Sequence, residues 1–139
     1  MPTIEIFLHE EQPIDPHAVR ELYTSVEWWP ERTEEQIAQV LANDVAVGAW
    51  DGERLVGFAR VISDHTFHVY IEDVMIHPTY QRRGIGQLLV SRLLEALPDI
   101  KTITLFCQEK LLPFYELQGF RAFPSQVVMH RISTIKSEI

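Results

Sequence analysis

The segment from residue 70 to residue 87 carries the residues best suited to chemistry. It starts with strand character, Pro78 closes a short turn, and Gly84 and Gly86 stand in a loop that opens a helix. Backbone N–H groups at a helix start point the same way, and the helix dipole favours negative charge there. Glycine lets the main chain approach an anion without an intervening side chain. The segment therefore predicts a site for a phosphate-bearing cofactor.

Two adjacent acids, Glu72 and Asp73, lie where the alternation of this strand changes phase. Apolar residues alternate up to Ile71 and resume out of phase at Val74 and Ile76. A one-residue change of phase predicts a β-bulge, which often re-aims side chains beside active sites. Because neighbouring strand residues point to opposite faces, we expect only one of the two carboxylates to face a ligand.

The remaining patterns predict an α/β fold in the order β-α-α-β-β-β-α-β-α-β. Apolar alternation predicts strands at 3–8, 45–50, 54–63, 66–77, 101–107 and 127–131, and the helical period predicts helices at 16–25, 33–42, 84–97 and 111–117. Asp51-Gly52 is a strong hairpin signal between the second and third strands, and Gly119 is the expected cap of the last helix. We expect one domain over residues 1–139.

The net charge of −8 is unevenly distributed, with −9 in residues 1–65 and +1 in residues 66–139. The acidic half would repel nucleic acid and suit a cationic ligand. No apolar run is long enough to cross a bilayer, so we expect a cytoplasmic protein without a membrane partner. Cys107 is the only cysteine, and we expect it to be buried and structural. His65, His68 and His77 lack metal-site spacing, so we expect no metal.

Three segments resemble the GNAT superfamily of N-acetyltransferases. Residues 81–86 read QRRGIG and fit its Q/R-x-x-G-x-G/A loop, and the VMIHP before them resembles its fourth strand and following turn. Residues 114–120 read FYELQGF and resemble its late F-Y-x-x-x-G-F signature. The order of elements also fits, so the resemblance covers nearly the whole chain. It implies the GNAT acyltransferase fold, a mixed and mostly antiparallel sheet with splayed strands four and five, flanked by helices.

The resemblance implies acetyl-coenzyme A as the acetyl donor. The pantetheine arm would bond to the backbone of the fourth strand, and the loop would hold the pyrophosphate with its amides and arginines. The implied contacts are Val74, Met75 and Ile76 in the strand, Arg82, Arg83, Gly84, Ile85, Gly86 and Gln87 in the loop, and Gln108 and Phe114 near the second signature. The family commonly has Asn or Asp where this chain has Gln108, so that contact departs from its pattern.

The family transfers the acetyl group directly to an amine, without a covalent enzyme intermediate. On this resemblance Tyr115 would protonate the leaving thiolate. An alkylamine has a pKa near about 10, so it must lose a proton before it attacks. Glu72 is the candidate base, with a salt bridge or a substrate-binding anion without proton transfer as its alternative role. Asp73 is the runner-up and a candidate substrate contact.

The segment between the first two helices bears on the acceptor. Trp28 and Trp29 lie there, where this family places substrate-facing segments, and could stack on a cationic or aromatic acceptor or instead serve as core or dimer contacts. Nearby acids favour a small cationic amine such as a polyamine, arylalkylamine or amino sugar. A protein lysine or N-terminus is an alternative acceptor, and a non-catalytic acyl-coenzyme A sensor is an alternative function. A P-loop nucleotide-binding protein is disfavoured because no lysine follows Gly86. A homodimer is reasonable for this family.

Overall fold

The computed structural model of this chain describes residues 3–133. The contacts divide the chain into two compact units, Met1–Phe106 and Cys107–Ile139. The expectation of one domain over residues 1–139 stays a prediction.

The first unit is built on one mixed sheet. Its strands are β1 (Ile4–Leu8), β2 (Ala46–Asp51), β3 (Arg54–Ser63), β4 (His68–Ile76) and β5 (Thr102–Thr104), and its α-helices are α1 (Pro16–Ser25), α2 (Glu34–Asn43) and α3 (Ile85–Ala96). The strands lie in sequence order across the sheet. Each neighbouring pair is antiparallel except β4 and β5, which are parallel. The predicted mixed, mostly antiparallel sheet is confirmed.

Local signals explain where the first two helices begin. Asp15 caps α1 by accepting a hydrogen bond from the His17 N–H, and the proline in the first turn of α1 needs no N–H there. At α2, Thr33 and Gln36 form a capping box, in which each side chain accepts from the other residue's backbone N–H. Both helices therefore begin close to the predicted positions.

The helices cover the two faces of the sheet. A buried cluster joins α1 and α2 to the sheet through Leu22, Ile37, Phe58 and Met75, together with neighbouring apolar residues. Helix α3 packs against the opposite face, where a Leu89 methyl carbon lies 3.1 Å from the position that a Cβ on residue 57 would take. Residues 57 and 58 are adjacent in one strand, so their side chains point to opposite faces. The predicted flanking helices are confirmed.

Gly48 should not tolerate a side chain. A Cβ at this position would lie 2.7 Å from the Trp50 ring and 2.8 Å from Leu55, both buried. We expect Gly48→Ala to lower the free energy of unfolding by about 1–3 kcal/mol, because the indole must leave its packed position. Urea denaturation measures the loss. Gly57→Ala, whose nearest contacts would be 3.1–3.2 Å, is the comparison and should cost less. An equal or smaller loss at Gly48 would contradict this packing argument.

The second unit contains the short helix α4 (Leu112–Glu116), preceded by a 3-10 turn at Glu109–Leu111. Gly119 follows α4 with φ +92°, and its N–H donates to Glu116 O at 3.1 Å. The expectation that Gly119 ends this helix agrees with that geometry.

Near the C-terminus one strand prediction was wrong and another strand is shorter than predicted. Residues 127–131 form no strand, and Val127 and Met129 are 82% and 88% exposed. Apolar alternation produces a strand only where a neighbouring strand and a core accept it. The predicted strand at 101–107 is limited to the three residues of β5, so Cys107 lies outside it and is half-buried. The prediction of a buried Cys107 is thus only partly met.

Candidate active site

Strand β4 contains the predicted β-bulge. Arg60 of β3 pairs with Glu72 and Phe58 pairs with Met75, so two residues of β4 stand opposite the single residue between them in β3. Asp73, the first of these two, has φ +57°, a left-handed conformation that residues other than glycine seldom adopt. The bulge therefore re-aims the side chains at the middle of the sheet.

The adjacent acids Glu72 and Asp73 both contact one guanidinium group. Arg60 Nε donates to Asp73 Oδ2 at 2.9 Å, and Arg60 Nη2 donates to Glu72 Oε2 at 3.1 Å. The third nitrogen of Arg60, Nη1, donates a hydrogen bond to Asp44 Oδ2 at 2.8 Å. The expectation that Glu72 and Asp73 face opposite sides was wrong. The extra residue of the bulge breaks the alternation, so consecutive carboxylates reach one guanidinium.

Glu72 and Asp73 differ in exposure and in hydrogen-bond partners. Asp73 Oδ2 also accepts from Tyr23 Oη at 2.8 Å and Arg32 Nη1 at 2.9 Å, and its side chain is 2% exposed. The Glu72 side chain is 21% exposed, and its Oε1 lies 3.9 Å from Arg32 Nη2. Burial raises the pKa of Glu72, the nearby Asp73 charge raises it further, and the two arginines oppose the rise. Glu72 is therefore the accessible carboxylate, with a proton affinity moved towards neutral pH.

Sequence reasoning missed four members of this network, namely Tyr23, Arg32, Asp44 and Arg60. One of them left a signal, because Arg60 interrupts an otherwise apolar strand and a charge there requires a buried partner. The adjacent acids of the next strand were the natural candidates. The positions of Tyr23, Arg32 and Asp44 depend on how α1 and α2 pack, which no local pattern encodes.

The loop between α1 and α2 holds the two tryptophans. Trp28 and Trp29 are 42% and 45% exposed, and the Arg32 guanidinium lies over the Trp29 ring at 4.4 Å. Glu27 and Trp29 have φ +60° and +48°, so the surrounding structure holds this loop in a strained conformation. Arg32 thus connects the exposed aromatic loop to the buried Asp73.

A cleft of about 400 Å³ opens beside this network. Its walls come from α2, from the loop before it and from the network itself, and comprise Tyr23, Glu31, Arg32, Gln36, Ile37, Gln39, Val40 and Arg60. The cleft is large enough for a small organic molecule. Polar and apolar groups both line it, so it can accept a ligand that carries both.

Strand β4 has an edge without a strand partner. It pairs with β5 only from His68↔Thr102 to Tyr70↔Thr104, and within residues 3–133 no strand continues that edge to Ile76. His77 N–H donates to Val56 O in β3, so by alternation the N–H groups of Val74 and Ile76 point to the open side. The side chains of Val74 and Ile76 are half-buried while Met75 is 1% exposed, so Met75 is the core residue here.

The glycine loop leads into α3 as predicted. Gly84 stands before the helix with φ +80°, and the first helical bond runs from Leu88 N–H to Gly84 O at 3.3 Å. Helix geometry therefore leaves the N–H groups of residues 85–87 without a helical acceptor. Arg82 and Arg83 are exposed, and the Arg83 guanidinium lies 5.2 Å from the Tyr80 ring. The loop presents amides and cations together, which is the chemistry that binds pyrophosphate.

The other predicted site residues lie in the second unit. Gln108 is exposed and precedes the 3-10 turn. Phe114 packs edge-on against Tyr115 with ring centroids 4.8 Å apart, and Phe120 lies on Tyr115 at 6.0 Å. Tyr115 is 7% exposed, and burial raises its pKa to about 12. Its phenol therefore keeps its proton at neutral pH.

Within residues 3–133, no group of three or more His, Cys, Asp or Glu side chains could hold a metal ion. None of the helices in that range has the length and apolar content needed to cross a membrane.

Comparison with known proteins agrees with these features. The model of the acetyltransferase (GNAT) family matches residues 5–120. A histone acetyltransferase of Glycine max, TAP1, is 34% identical over 113 residues, which cover 71% of this chain and 49% of that protein. An N-acetyltransferase of unknown role from Gracilaria tenuistipitata var. liui, ycf52, is 31% identical over 131 residues, which cover 89% of this chain and 71% of that protein.

A solved structure points to the same family. A GNAT acetyltransferase of Streptococcus pneumoniae superposes with a TM-score of 0.81 at 29% identity, covering 96% of this chain and 100% of that one. The chain spans about half the length of the curated relatives it matches first. The family match extends over most of the chain, and it includes both signature segments. The chain belongs to the acetyltransferase (GNAT) family.

Proposed function

We propose that this protein moves an acetyl group from acetyl-coenzyme A to a primary amine by direct attack in a ternary complex. The observation that carries the proposal lies in β4. Within five residues, this strand combines a partly exposed carboxylate of raised pKa, Glu72, with the open edge at Val74 and Ile76. A thioester laid along that edge would have its reacting carbon close to a base.

The donor would be held in two places. The N–H groups of Val74 and Ile76 would bond the pantetheine amides as an added strand. The loop from Arg82 to Gln87 would hold the pyrophosphate at the start of α3. A backbone N–H at the bulge could also polarise the thioester carbonyl as negative charge develops on its oxygen. Met75 would support the arm from the core side, and the family resemblance adds Gln108 and Phe114 as proposed donor contacts.

Three proton transfers complete the reaction. Glu72, directly or through water, would take one proton of the ammonium form so that the neutral amine attacks the thioester carbon. The carbon–sulfur bond then breaks, Tyr115 would give its proton to the leaving thiolate, and the second proton lost by the amine nitrogen would restore the Tyr115 phenol, so that the net proton released is the one taken by Glu72. Asp73 is enclosed by three donors, so we assign it the task of holding the arginines near Glu72. The presence of both Glu72 and Tyr115 favours an enzyme over a non-catalytic sensor.

A small cationic amine is the proposed acceptor. The network contains three carboxylates and two guanidinium groups, so it carries one excess negative charge beside a cleft of about 400 Å³. Trp28 and Trp29 offer exposed aromatic faces in the same loop as Arg32. A protein lysine or N-terminus is the second candidate, favoured by the name of the Glycine max relative.

Free-thiol release from acetyl-coenzyme A, measured against a panel of amines at mildly alkaline pH, tests the proposal. The panel holds polyamines, arylalkylamines, amino sugars and lysine peptides, with an amine-free control. We expect release that depends on the amine and is strongest for small cations. If acetyl-coenzyme A stabilises the protein in a thermal-shift assay but no amine or peptide gives thiol release, the enzyme proposal falls and a non-catalytic sensor is favoured.

Gly84→Asp should weaken acetyl-coenzyme A binding by about tenfold, because a carboxylate at the helix start would compete with the pyrophosphate. Gly52→Asp is a matched control. Both glycines have positive φ, +80° and +62°, and a Cβ on either would meet nothing within 4 Å. Isothermal titration calorimetry measures both affinities. Equal affinities in the two variants would show that the loop before α3 does not hold the anion.

A further inference from the structure

We propose that Arg60 is a positioning residue for the general base, which holds the Glu72 carboxylate in place and sets its affinity for a proton. The inference rests on the proposed function only in calling Glu72 the base. The arrangement itself is a property of the fold, and it can be measured without catalysis.

The geometry shows a single guanidinium shared by three acids. Arg60 uses Nε for Asp73, Nη2 for Glu72 and Nη1 for Asp44, at 2.8–3.1 Å. The Arg60 side chain is only 7% exposed, so its guanidinium donates its hydrogen bonds to these acids and not to water. Asp44 follows α2, whereas the other two acids belong to β4. Arg60 therefore fixes the base relative to both the sheet and the helical layer.

Only arginine suits this position. Its planar fork offers donors in three directions at fixed angles, whereas a lysine ammonium is a point charge on a flexible stem. Lysine at position 60 would keep the positive charge but would not hold three carboxylates in one plane. Substitutions at position 60 can therefore separate the effect of the positive charge from the effect of holding the Glu72 carboxylate in one orientation.

Charges of both signs surround Glu72 from every element packed against it. Arg60 in β3 and Arg32 before α2 favour its ionised form, while Asp44 after α2 and Asp73 in β4 disfavour it. Two phenols also belong to this region: burial raises the pKa of Tyr70 in β4, with the Glu72 charge adding to the rise, and burial raises the pKa of Tyr23 in α1, which contacts Asp73 and Arg32. Removal of one of these charges should therefore move the titration of Glu72 in a direction set by the sign of that charge.

Three variants test the proposal through the acidic limb of the pH profile of kcat/KM. Arg60→Gln removes a positive charge, so the limb should move to higher pH by roughly one unit. Asp44→Asn removes a negative charge, so the limb should move to lower pH. Arg60→Lys should leave the limb within about 0.3 units, since the charge stays. Its kcat should nevertheless fall by roughly tenfold, because the base is no longer oriented.

Carboxyl-carbon NMR gives a second readout that does not need activity. The Glu72 signal is the one that is missing from the spectrum of Glu72→Gln. The midpoint of its titration should move to higher pH in Arg60→Gln and to lower pH in Asp44→Asn. If every amine fails as acceptor, the proposed function falls while the NMR midpoints still decide the role of Arg60.

Two results would overturn the proposal. The first is Glu72 midpoints that are unchanged, or shifted the same way, in Asp44→Asn and Arg60→Gln. The second is an Arg60→Lys enzyme with unchanged kcat. Circular dichroism checks folding, and if Arg60→Gln does not fold, Asp44→Asn and Arg60→Lys decide the matter.

Discussion

Tyr115→Phe is expected to lower kcat by about 10²–10⁴-fold and to leave the Kd for acetyl-coenzyme A nearly unchanged. Phenylalanine keeps the edge-on contacts with Phe114 and Phe120 and loses only the hydroxyl group. Burial raises the pKa of Tyr115 to about 12, so the wild-type phenol is protonated throughout an ordinary assay. The loss should therefore appear in turnover at every pH between about 6 and 9. Rapid-mixing thiol release measures kcat, and calorimetry measures Kd.

Tyr80→Phe is the matched control for the loss of a tyrosine hydroxyl. Tyr80 is nearly as buried as Tyr115, at 8% exposed, and its hydroxyl donates to Asp51. This variant should lose some stability and keep its turnover. If Tyr115→Phe retains wild-type kcat, the thiolate leaves without help from this phenol.

Glu72→Gln is expected to lower kcat/KM by about 10²-fold near neutral pH and to abolish the acidic limb of its pH profile. A base works only when deprotonated, so activity through Glu72 should rise with pH across its pKa. Burial raises that pKa, and the limb should therefore lie above the range of an ordinary glutamate. The glutamine side chain of this variant keeps a carbonyl oxygen. That oxygen can still accept a hydrogen bond from Arg60, so Arg60 keeps a partner at position 72.

Glu95→Gln, at an exposed position on α3, is the control and should behave as wild type. A complete pH profile of thiol release with the favoured amine measures both variants. An unaltered acidic limb in Glu72→Gln would move the base role to Asp73 or to a chain of water molecules.

The features of the site that depend only on residues close together in the sequence were predictable from it. The glycine before α3, the proline turn and the change of phase in β4 are each encoded within a few positions. Local chemistry produces them directly, since glycine adopts a positive φ without strain and an extra strand residue shifts the alternation. The glycine loop before α3 and the bulge in β4 therefore lie where the patterns placed them.

The contacts of the bulge were not predictable in the same way. Arg32 is 41 residues from Asp73 in the sequence, and Tyr23 is 50 residues from it. Their meeting depends on the packing of α1 and α2 on the sheet. Period-2 alternation also gave the wrong answer for Glu72 and Asp73, because it holds only for regular strands. The failed strand at 127–131 has a related cause, since pairing partners are not part of the local pattern.

The open edge of β4 has a consequence for the protein without its donor. Unpaired N–H and C=O groups along a strand are a template for another chain; β4 has no lysine or proline, so the protection of this edge comes from the bulge and from the charges of Glu72 and Asp73. A bound pantetheine arm would close it. Ligand occupancy would thus slow hydrogen exchange at Val74 and Ile76, and it would also suppress edge-to-edge aggregation.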